Sequence, residues 1–239
     1  MVGYKIRIEN VVASATLNVK VKLEKIVSNF ENVEYEPEQF PGVVYRVVDP
    51  KAAALIFSSG KIVCTGAKSP KDSKIVVAKI VVKMRKLGIM VPDNYTVRLE
   101  NIVASANLGR ELNLDKIAFT MENTEYEPEQ FPGLVFRMDQ PKVTFLLFGS
   151  GKVICTGGRT IKDVERAVDK VSKRLKRLDR ELAKADREEQ EAKGIVYVKP
   201  VKKPAVKKLV KPVKKLAKKP AKKLAKKSVK KPVKKSVKK

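Results

Sequence analysis

Basic, aromatic and thiol side chains, the groups that could bind or react with a ligand, recur in this chain at a constant separation of 91 positions. Residues 4–68 align with residues 95–159 without a gap, and 35 of the 65 aligned positions are identical, most densely in EYEPEQFPG and SGKxxCTG. A fixed period of this length indicates two copies of one supersecondary unit and a fold with approximate two-fold symmetry. A roughly two-fold symmetric ligand is then expected, and duplex DNA is the commonest one for a basic protein.

The side chains that usually carry catalysis are scarce. The chain has no histidine, which removes the usual general base at neutral pH and weakens the case for an enzyme, although a carboxylate or lysine mechanism stays open. Cys64 and Cys155 occupy the same position in each copy among apolar residues. We therefore predict two separate buried thiols, without a disulfide, a metal or a cofactor.

Positive charge is concentrated at the C-terminal end. The formal net charge is +27, yet residues 199–239 hold 20 lysines and no acids, so the other residues contribute 33 − 26 = +7. Such a chain is typical of proteins that bind nucleic acids or anionic membranes. No apolar run approaches the ~20 residues that cross a bilayer, and no charged-then-apolar leader opens the chain. We therefore predict a soluble, intracellular protein without a membrane partner.

The elements of one copy can be read from its pattern. An extended segment rich in Val and Ile comes first (4–17 and 95–108), followed by a short helix around Leu23 and Ile26, or Leu114 and Ile117. Further strands follow, three of them placed near 43–48, 52–57 and 61–65, and a longer amphipathic helix closes each copy from Ser69 or Thr160. The order strand, helix, four strands, helix, used twice, predicts an α+β fold with an antiparallel sheet.

The strands near 52–57 and 61–65 are apolar on both of their alternating faces, which predicts that both faces are buried against other groups. Two helices per copy can cover only one face. The other should be an exposed apolar patch, which marks a binding surface. Basic residues flank it in sequence: Arg46, Lys61 and Lys68, then Arg137, Lys152 and Arg159. An apolar floor with a basic rim suits a nucleic-acid groove.

These motifs closely resemble the core of the TATA-box-binding protein family. The resemblance rests on NVVAS, EYEPEQFPG and ALIFSSGKIVCTGAK, with second copies NIVASANL, EYEPEQFPG and LLFGSGKVICTGG, and it extends over roughly residues 4–181. It implies a saddle, in which a curved ten-stranded antiparallel sheet carries four helices on its convex face. It also implies the binding mode for which this family is the standard example, namely minor-groove binding with aromatic wedges that bend the duplex.

The resemblance also assigns roles to individual residues. The intercalating side chains of the family match Phe40, Phe57, Phe131 and Phe148, and its central asparagines match Asn10 and Asn101. Its apolar and hydroxyl contacts match Val12, Leu55, Val63, Thr65, Val103, Leu146, Ile154 and Thr156. Its phosphate contacts match Ser59, Ser150 and the six basic residues of the rim. Structural roles are the alternatives to these assignments. A phenylalanine in a strand, such as Phe57, more often belongs to the hydrophobic core, and Asn10 could hydrogen-bond its own backbone at a strand end.

Partners follow from the same resemblance. Both copies carry the full EYEPEQFPG, whereas the first copy is more divergent in nuclear members. This near-symmetry looks archaeal, and it leaves the orientation on a quasi-symmetric A·T site open. The resemblance implies that transcription factor B supplies the polarity by binding the second-copy loop through Glu127 and Glu129, and that RNA polymerase joins indirectly. Gln130 stands where nuclear members have an apolar residue. The expected location is cytoplasmic and nucleoid-associated.

We divide the chain into a first repeat (1–91), a second repeat with its C-terminal helix (92–185), and an acidic patch followed by a basic tail (186–239). The apolar stripe from Val164 to Ala185 predicts a sheet-packing helix that frays after about Leu182, with a short coiled-coil seam as the alternative. The repeated Lys pairs and prolines of the tail predict disorder. The tail is expected to tether DNA without sequence preference, or else to serve as a solubilising or interaction segment.

Three functions compete. The leading one is a general transcription initiation factor that binds and bends TATA-box DNA. The second is an architectural chromatin protein in which the tail dominates. The third is an enzyme, because DNA glycosylases carry a domain of this saddle type, but they need an appended catalytic module for which the tail leaves no room.

Overall fold

A computed structural model describes residues 4–192 as ten strands and four helices. The first copy contributes β1 (Arg7–Thr16), α1 (Leu23–Val27), β2 (Val33–Glu34), β3 (Gly42–Val47), β4 (Ala52–Phe57), β5 (Lys61–Ala67) and α2 (Pro70–Lys86). The second contributes β6 (Thr96–Asn107), α3 (Leu114–Thr120), β7 (Thr124–Glu125), β8 (Gly133–Met138), β9 (Val143–Phe148), β10 (Lys152–Gly158) and α4 (Ile161–Ala192). The predicted strand and helix order is confirmed in both copies.

All ten strands form one antiparallel sheet in the order β2-β3-β4-β5-β1-β6-β10-β9-β8-β7. The order reads as a mirror sequence about the β1/β6 pair, as expected from two copies of one unit. The two copies join there, because β1 pairs with β6 from Arg7 opposite Ser105 to Thr16 opposite Thr96. The main-chain ladder therefore continues across the boundary between the repeats.

Local sequence explains where the long helices begin. The Ser69 hydroxyl accepts a hydrogen bond from the backbone N–H of Asp72 at 3.0 Å, and Pro70 occupies the first helical position of α2. Thr160 caps α4 in the same way through the N–H of Asp163 at 3.1 Å. Capping satisfies a backbone donor that no helical carbonyl can reach, and Pro fits the first turn because it needs no donor there.

Each helix pair packs on one face of the sheet and encloses its own hydrophobic core. In the first copy, Ile56 and Ile62 of the sheet lie buried with Ile80 and Met84 of α2. In the second copy, Phe136, Phe145 and Leu147 are buried with Val171 and Leu175 of α4. The apolar stripe predicted for the last helix is thus its core-facing side.

Both thiols are buried on the helix-covered side, as predicted, and Cys64 and Cys155 are free cysteines. Burial raises the pKa of Cys64 to about 11 and that of Cys155 to about 12, because the thiolate loses its hydration. Residues 4–192 contain no helix that combines the length and apolarity of a membrane span.

The last helix is longer than predicted. It runs through Ala192 without the expected fraying after Leu182. Ion pairs one helical turn apart hold the added turns, between Arg177 and Glu181 at 2.7 Å and between Lys184 and Glu188 at 3.5 Å. A cross-helix pair joins Lys116 of α3 to Asp186 at 3.1 Å. The lysine-rich tail lies outside the described residues.

Candidate nucleic-acid interface

The face of the sheet opposite the helices carries apolar side chains that no other described element covers. In β5, Ile62 and Cys64 are buried under α2, whereas Val63 and Thr65 point the other way and are half-buried. Leu55 of β4 lies opposite Val63 in register, so the two share the uncovered face. The second copy repeats the arrangement, with Leu146 opposite Ile154 and Thr144 opposite Thr156. The apolar patch predicted from sequence is therefore present.

The centre of this face combines the two copies. Val12 lies opposite Asn101, and Asn10 lies opposite Val103, where β1 pairs with β6. Four side chains assigned to the site from the sequence thus meet at the symmetric middle of the sheet. Two of them are donors of hydrogen bonds and two are apolar, in an alternating arrangement.

The asparagines are held by the neighbouring strand. Asn10 Oδ1 accepts the backbone N–H of Gly66 at 2.7 Å, which fixes the amide orientation, and its Nδ2 donates to the Thr65 hydroxyl at 3.2 Å. Asn101 makes the same bonds to Gly157 at 2.7 Å and Thr156 at 3.1 Å. Asn10 therefore binds a backbone group of another strand and does not satisfy its own. One N–H of each Nδ2 is left for a ligand on the uncovered face.

The four phenylalanines form two edge-to-face pairs at the ends of the face. The ring centroids of Phe40 and Phe57 are 5.6 Å apart, and those of Phe131 and Phe148 are 5.9 Å apart. Each pair joins the last residue of β4 or β9 to the loop that comes before the preceding strand, β3 or β8. None is fully buried, and Phe131 is 40% exposed. The alternative that Phe57 belongs to the core is therefore not supported.

A glycine makes room for each aromatic pair. A Cβ on Gly133 would lie 2.6 Å from Phe131 Cε1 and 3.1 Å from Phe148 Cε1, closer than real side chains approach. Gly42 stands in the same relation to Phe40 and Phe57, at 3.0 and 3.2 Å. The Pro-Gly step in each loop therefore serves the packing of the rings as well as the turn.

The basic rim is present, but its arginines have partners. Arg46 binds both carboxylate oxygens of Glu34, at 2.9 and 3.1 Å, and Arg137 binds those of Glu125 at 2.8 and 3.1 Å. The Arg46 hydrogen bond also lowers the pKa of Glu34. All four side chains are exposed, so the pairs hold the arginines only weakly.

The other rim residues are exposed at the turns and strand ends: Ser59, Lys61, Lys68, Ser150, Lys152 and Arg159. Of these, Lys68 donates to the backbone carbonyl of Glu9 at 2.6 Å. Among residues 4–192 no group of His, Cys, Asp or Glu side chains has the arrangement that holds a metal ion. The side chains assigned to this face from the sequence offer a ligand apolar surface, amide donors and cations.

The comparison with known proteins agrees with this geometry. The family model described as "Transcription factor TFIID (or TATA-binding protein, TBP)" matches residues 5–87 and again residues 96–178. The chain belongs to the TATA-binding protein family. The family consists of DNA-binding transcription factors and not of enzymes, which confirms that part of the sequence-based prediction.

Several archaeal members of the TATA-binding protein family are similar in sequence. The TATA-box-binding protein of Methanothermobacter thermautotrophicus is 54% identical over 169 residues, which are 71% of this chain and 93% of the relative. That of Archaeoglobus fulgidus is 53% identical over 171 residues, with 71% and 93% covered. The solved structure titled "Methanococcus jannaschii TBP" superposes with a TM-score of 0.68 at 50% identity, covering 72% of this chain and 98% of that one. The predicted fold is thereby confirmed.

The loops that carry Glu127 and Glu129, and their twins Glu36 and Glu38, have the same conformation. Gln130 and Phe131 donate their N–H groups to the Glu127 carbonyl at 3.0 and 2.9 Å, and the first loop repeats both distances at Glu36. All four glutamates are exposed. A partner of a TATA-binding protein that prefers one loop must therefore read residues outside the shared EYEPEQFPG.

Sequence reasoning missed two carboxylates on the uncovered face. Glu9 and Glu100 each occupy an irregular position where the β1/β6 register shifts. Glu9 accepts the Ser105 hydroxyl at 2.7 Å, and Glu100 accepts that of Ser14 at 2.5 Å. The Ser105 bond lowers the pKa of Glu9, with smaller contributions from Arg7 and Lys68. The repeated dipeptide Glu-Asn identifies the two positions as equivalent, but it does not reveal which face the glutamates take.

Two further cations were missed as well. Arg7 lies opposite Ser105 in register, and Arg98 lies opposite Ser14, so both belong to the strands at the centre of the face. They are related by the repeat offset and exposed. Arg7 approaches Glu9 at 3.6 Å. The middle of the interface therefore contains carboxylates and arginines of both signs of charge beside its apolar side chains.

Proposed function

We propose that the uncovered face binds TATA-box DNA through the minor groove and bends it by inserting the two phenylalanine pairs, as a general initiation factor of transcription. One observation carries the proposal. Two asparagines lie at the middle of a single apolar face and two aromatic pairs lie at its ends, all related by the repeat. Membership of the TATA-binding protein family, and the names of its relatives, support the same ligand.

Selection of A·T pairs follows from the chemistry of the face. Both A·T and T·A present only acceptors in the minor groove, whereas G·C adds the guanine amino donor. Val12, Leu55 and Val63 offer that amino group no acceptor, so G·C would bury an unpaired donor. The remaining N–H of Asn10 and of Asn101 can donate to the acceptors at the middle of the site.

Bending follows from the position of the aromatic pairs. A ring pushed between two base pairs opens one side of the step and bends the duplex away from the protein. Pyrimidine–purine steps such as TA unstack at the least cost, which favours them where the rings enter. The separation of the two pairs by the whole sheet places one bend at each end of the site.

The rim supplies affinity and position. Lys61 and Lys152, with Ser59 and Ser150 beside them, are exposed at matching turns and suit phosphate contacts. Arg46 and Arg137 would also contact phosphates, each releasing its exposed glutamate partner to do so. These contacts add affinity for any duplex, and the face between them adds the sequence preference.

We also propose the partners and the domain limits. The exposed Glu127 and Glu129 would bind transcription factor B, which would tell the two loops apart by residues outside the shared EYEPEQFPG. In this way it would give the quasi-symmetric complex its polarity and bring RNA polymerase to the promoter. The division into a first repeat (1–91), a second repeat (92–185) and a C-terminal extension (186–239) accompanies this assignment. A factor with these ligands would act at the nucleoid in the cytoplasm.

The test is a titration of the full chain with a TATA duplex and a scrambled duplex at two salt concentrations, with a fluorescent bend reporter at the duplex ends. We expect the chain to bind the TATA duplex more tightly than the scrambled duplex, and to bend only the TATA duplex. Equal affinity for both duplexes without a bend would contradict the proposal.

A second candidate, an architectural chromatin protein, is favoured by the 20 lysines of residues 199–239. It predicts affinity for any duplex, a steep salt dependence and no preference for TATA. The same titration separates the two functions, because only the first requires the scrambled duplex to bind more weakly.

A further inference from the structure

A groove on the helix side of the first repeat exposes apolar side chains to solvent. It has a volume of about 620 Å³ and lies between the end of β3 and helix α2. Its walls include Val48, which is 78% exposed, and Val82, which is 51% exposed. Ile75 and Ala78 extend the same wall at helical spacing. The apolar residues of this groove belong to the helix side of the sheet, and Arg46 alone among its lining residues is also part of the basic rim of the DNA-binding face.

The second repeat provides an internal comparison for this groove. Its scaffold is the same, since Lys79 Nζ donates to the Asp49 carbonyl at 2.5 Å and Lys170 Nζ donates to the Gln140 carbonyl at 2.7 Å, with the offset of 91 unchanged. Lys83 lies over the Tyr45 ring, and Arg174 lies over the Phe136 ring. Differences between the two grooves therefore arise from the side chains on a shared scaffold.

Four apolar residues of the first groove are replaced by charged ones in the second, whereas the more buried Tyr45 and Val47 are replaced by Phe136 and Met138. The pairs are Val48 and Asp139, Ile75 and Arg166, Ala78 and Asp169, and Val82 and Lys173. In the second repeat Asp169 and Lys173 form an ion pair at 2.7 Å. Because the fold forms with charges at these positions, folding does not require the apolar residues of the first repeat.

The charges around the groove indicate what would cover it. Helix α2 carries six basic residues and the single acid Asp72. Lys83 Nζ is held at the groove by the Tyr45 hydroxyl at 2.8 Å and lies 5.1 Å from the centroid of Phe30, and it forms no ion pair with any carboxylate of residues 4–192. Glu31 and Asp49 also line the groove, and Asp49 pairs with Lys79 at 3.2 Å, which leaves Lys83 as the cation available to a ligand. An apolar floor beside this cation complements an apolar segment that carries a carboxylate.

We infer that this groove, lined by Val48, Ile75, Ala78 and Val82, is a docking site for an amphipathic, acidic helix of a second protein. The helix would place leucine-like side chains on the floor and a carboxylate against Lys83. The chain's own lysine-rich tail has the wrong charge to pair with Lys83. Only the first repeat offers such a site, so the partner would occupy one side of a nearly symmetric molecule.

The test uses the full chain and a fluorescein-labelled helical peptide with leucines at i, i+4 and i+7 and glutamates beside them. We expect saturable binding with one peptide per chain, measured by anisotropy. The double variant Val48→Asp with Val82→Lys, which copies the second repeat, should weaken it by about tenfold or more. Its affinity for the TATA duplex should not change, which keeps this site distinct from the DNA-binding proposal.

The reciprocal variant Asp139→Val with Lys173→Val provides the gain-of-function arm. It should build a second groove and raise the stoichiometry to two peptides per chain. A peptide with its leucines scrambled around the helix, and one with lysines in place of the glutamates, should bind more weakly. Absence of binding by the unmodified chain, or equal binding by the Val48→Asp and Val82→Lys variant, would overturn the inference.

Two other occupants are separated by the same materials. Truncation after Gly194 should leave the peptide affinity unchanged, whereas a marked rise would show that the tail covers the groove. The unmodified chain should have the same oligomeric state as the Val48→Asp and Val82→Lys variant. A dimer that this variant abolishes would assign the groove to a second copy and overturn the choice of a separate partner.

Discussion

The amide of Asn10 donates a hydrogen bond to the hydroxyl of Thr65 over 3.2 Å, and the pair Asn101 and Thr156 repeats the bond at 3.1 Å in the second repeat. In each case the amide oxygen is occupied by a backbone N–H of the same neighbouring strand. The donor nitrogen is therefore oriented before any ligand arrives. Such preorganisation spares the complex the entropy of ordering these side chains.

Replacing Asn10 with Asp should weaken TATA binding by about 1–3 kcal/mol, because it places a charged acceptor where the minor groove also presents acceptors. Equilibrium titration with a TATA duplex measures the effect. Asn113→Asp is the matched control, since Asn113 caps α3 on the helix side and Asp caps equally well. Equal loss in both variants would show that net charge, and not the position of Asn10, is responsible.

Phe57→Ala and Phe148→Ala should each reduce the bend of the TATA duplex, since a methyl group cannot hold a base step open. Affinity should fall with the bend, and the double variant should lose most of both. Energy transfer between dyes at the duplex ends measures the bend. Phe119→Ala, which changes a 95% exposed ring on α3, should leave it intact. A fully bent complex with the double variant would refute the wedge assignment.

Changing Glu127 and Glu129 to Arg should preserve TATA binding and prevent recruitment of transcription factor B, because charge reversal at an interface places like charges together. The twin change at Glu36 and Glu38 is the matched control, since both loops have one sequence and one conformation. Mobility-shift assays with both factors measure recruitment. Assembly that survives the first change, or fails equally with both, would place the partner elsewhere.

The thiols predict a pH dependence of stability. Burial raises the pKa of Cys64 from 9.0 to about 11 and that of Cys155 from 9.0 to about 12. Because the folded values lie above the unfolded one, this contribution is complete below pH 9.0 and is lost as the pH rises through the folded values. Denaturant titrations should show a smaller alkaline loss in the Cys64→Ala, Cys155→Ala variant than in the unmodified chain. An identical loss would exclude the thiols as its source.

Truncation after Gly194 should separate two modes of DNA binding. The 20 lysines of residues 199–239 can meet phosphates but cannot read bases, so affinity for any duplex should fall. The slope of log affinity against log salt should flatten by roughly 0.9 for each phosphate that the protein no longer neutralises. The ratio of TATA to scrambled affinity should stay the same or rise. An unchanged slope, or a collapsed ratio, would contradict the role of a tether.

Much of the candidate site could be predicted because strand alternation and an internal repeat constrain each other. Once Cys64 is placed under a helix, Val63 and Thr65 must face the other way, and the repeat requires the same of Ile154 and Thr156. These strand features depend on local pattern and on symmetry, both of which are visible in a single sequence. The pairing of the phenylalanines was predicted from the family resemblance, because Phe40 and Phe131 lie in loops where strand alternation does not apply.

The features that escaped prediction depend on interactions between distant segments. Glu9 and Glu100 face the ligand side because the β1/β6 register shifts beside them, and no local pattern marks such a shift. The carboxylate partners of Arg46 and Arg137 come from a neighbouring strand only two residues long. The added turns of helix α4 carry the local ion pair of Lys184 with Glu188, and Lys116 of another helix pairs with Asp186. Apart from that local pair, these outcomes depend on tertiary neighbours.

The pairing of β1 with β6 bears on which molecule deforms when the complex forms. Because residues pair from Arg7 to Thr16 across the boundary, with two register shifts, and a packed core lies behind each repeat, we expect the middle of the sheet to resist bending. The mechanical work of fitting the two surfaces falls on the duplex. The affinity for each promoter would then depend partly on how easily its DNA sequence bends. Against a rigid sheet, a duplex that costs less free energy to deform would bind more tightly.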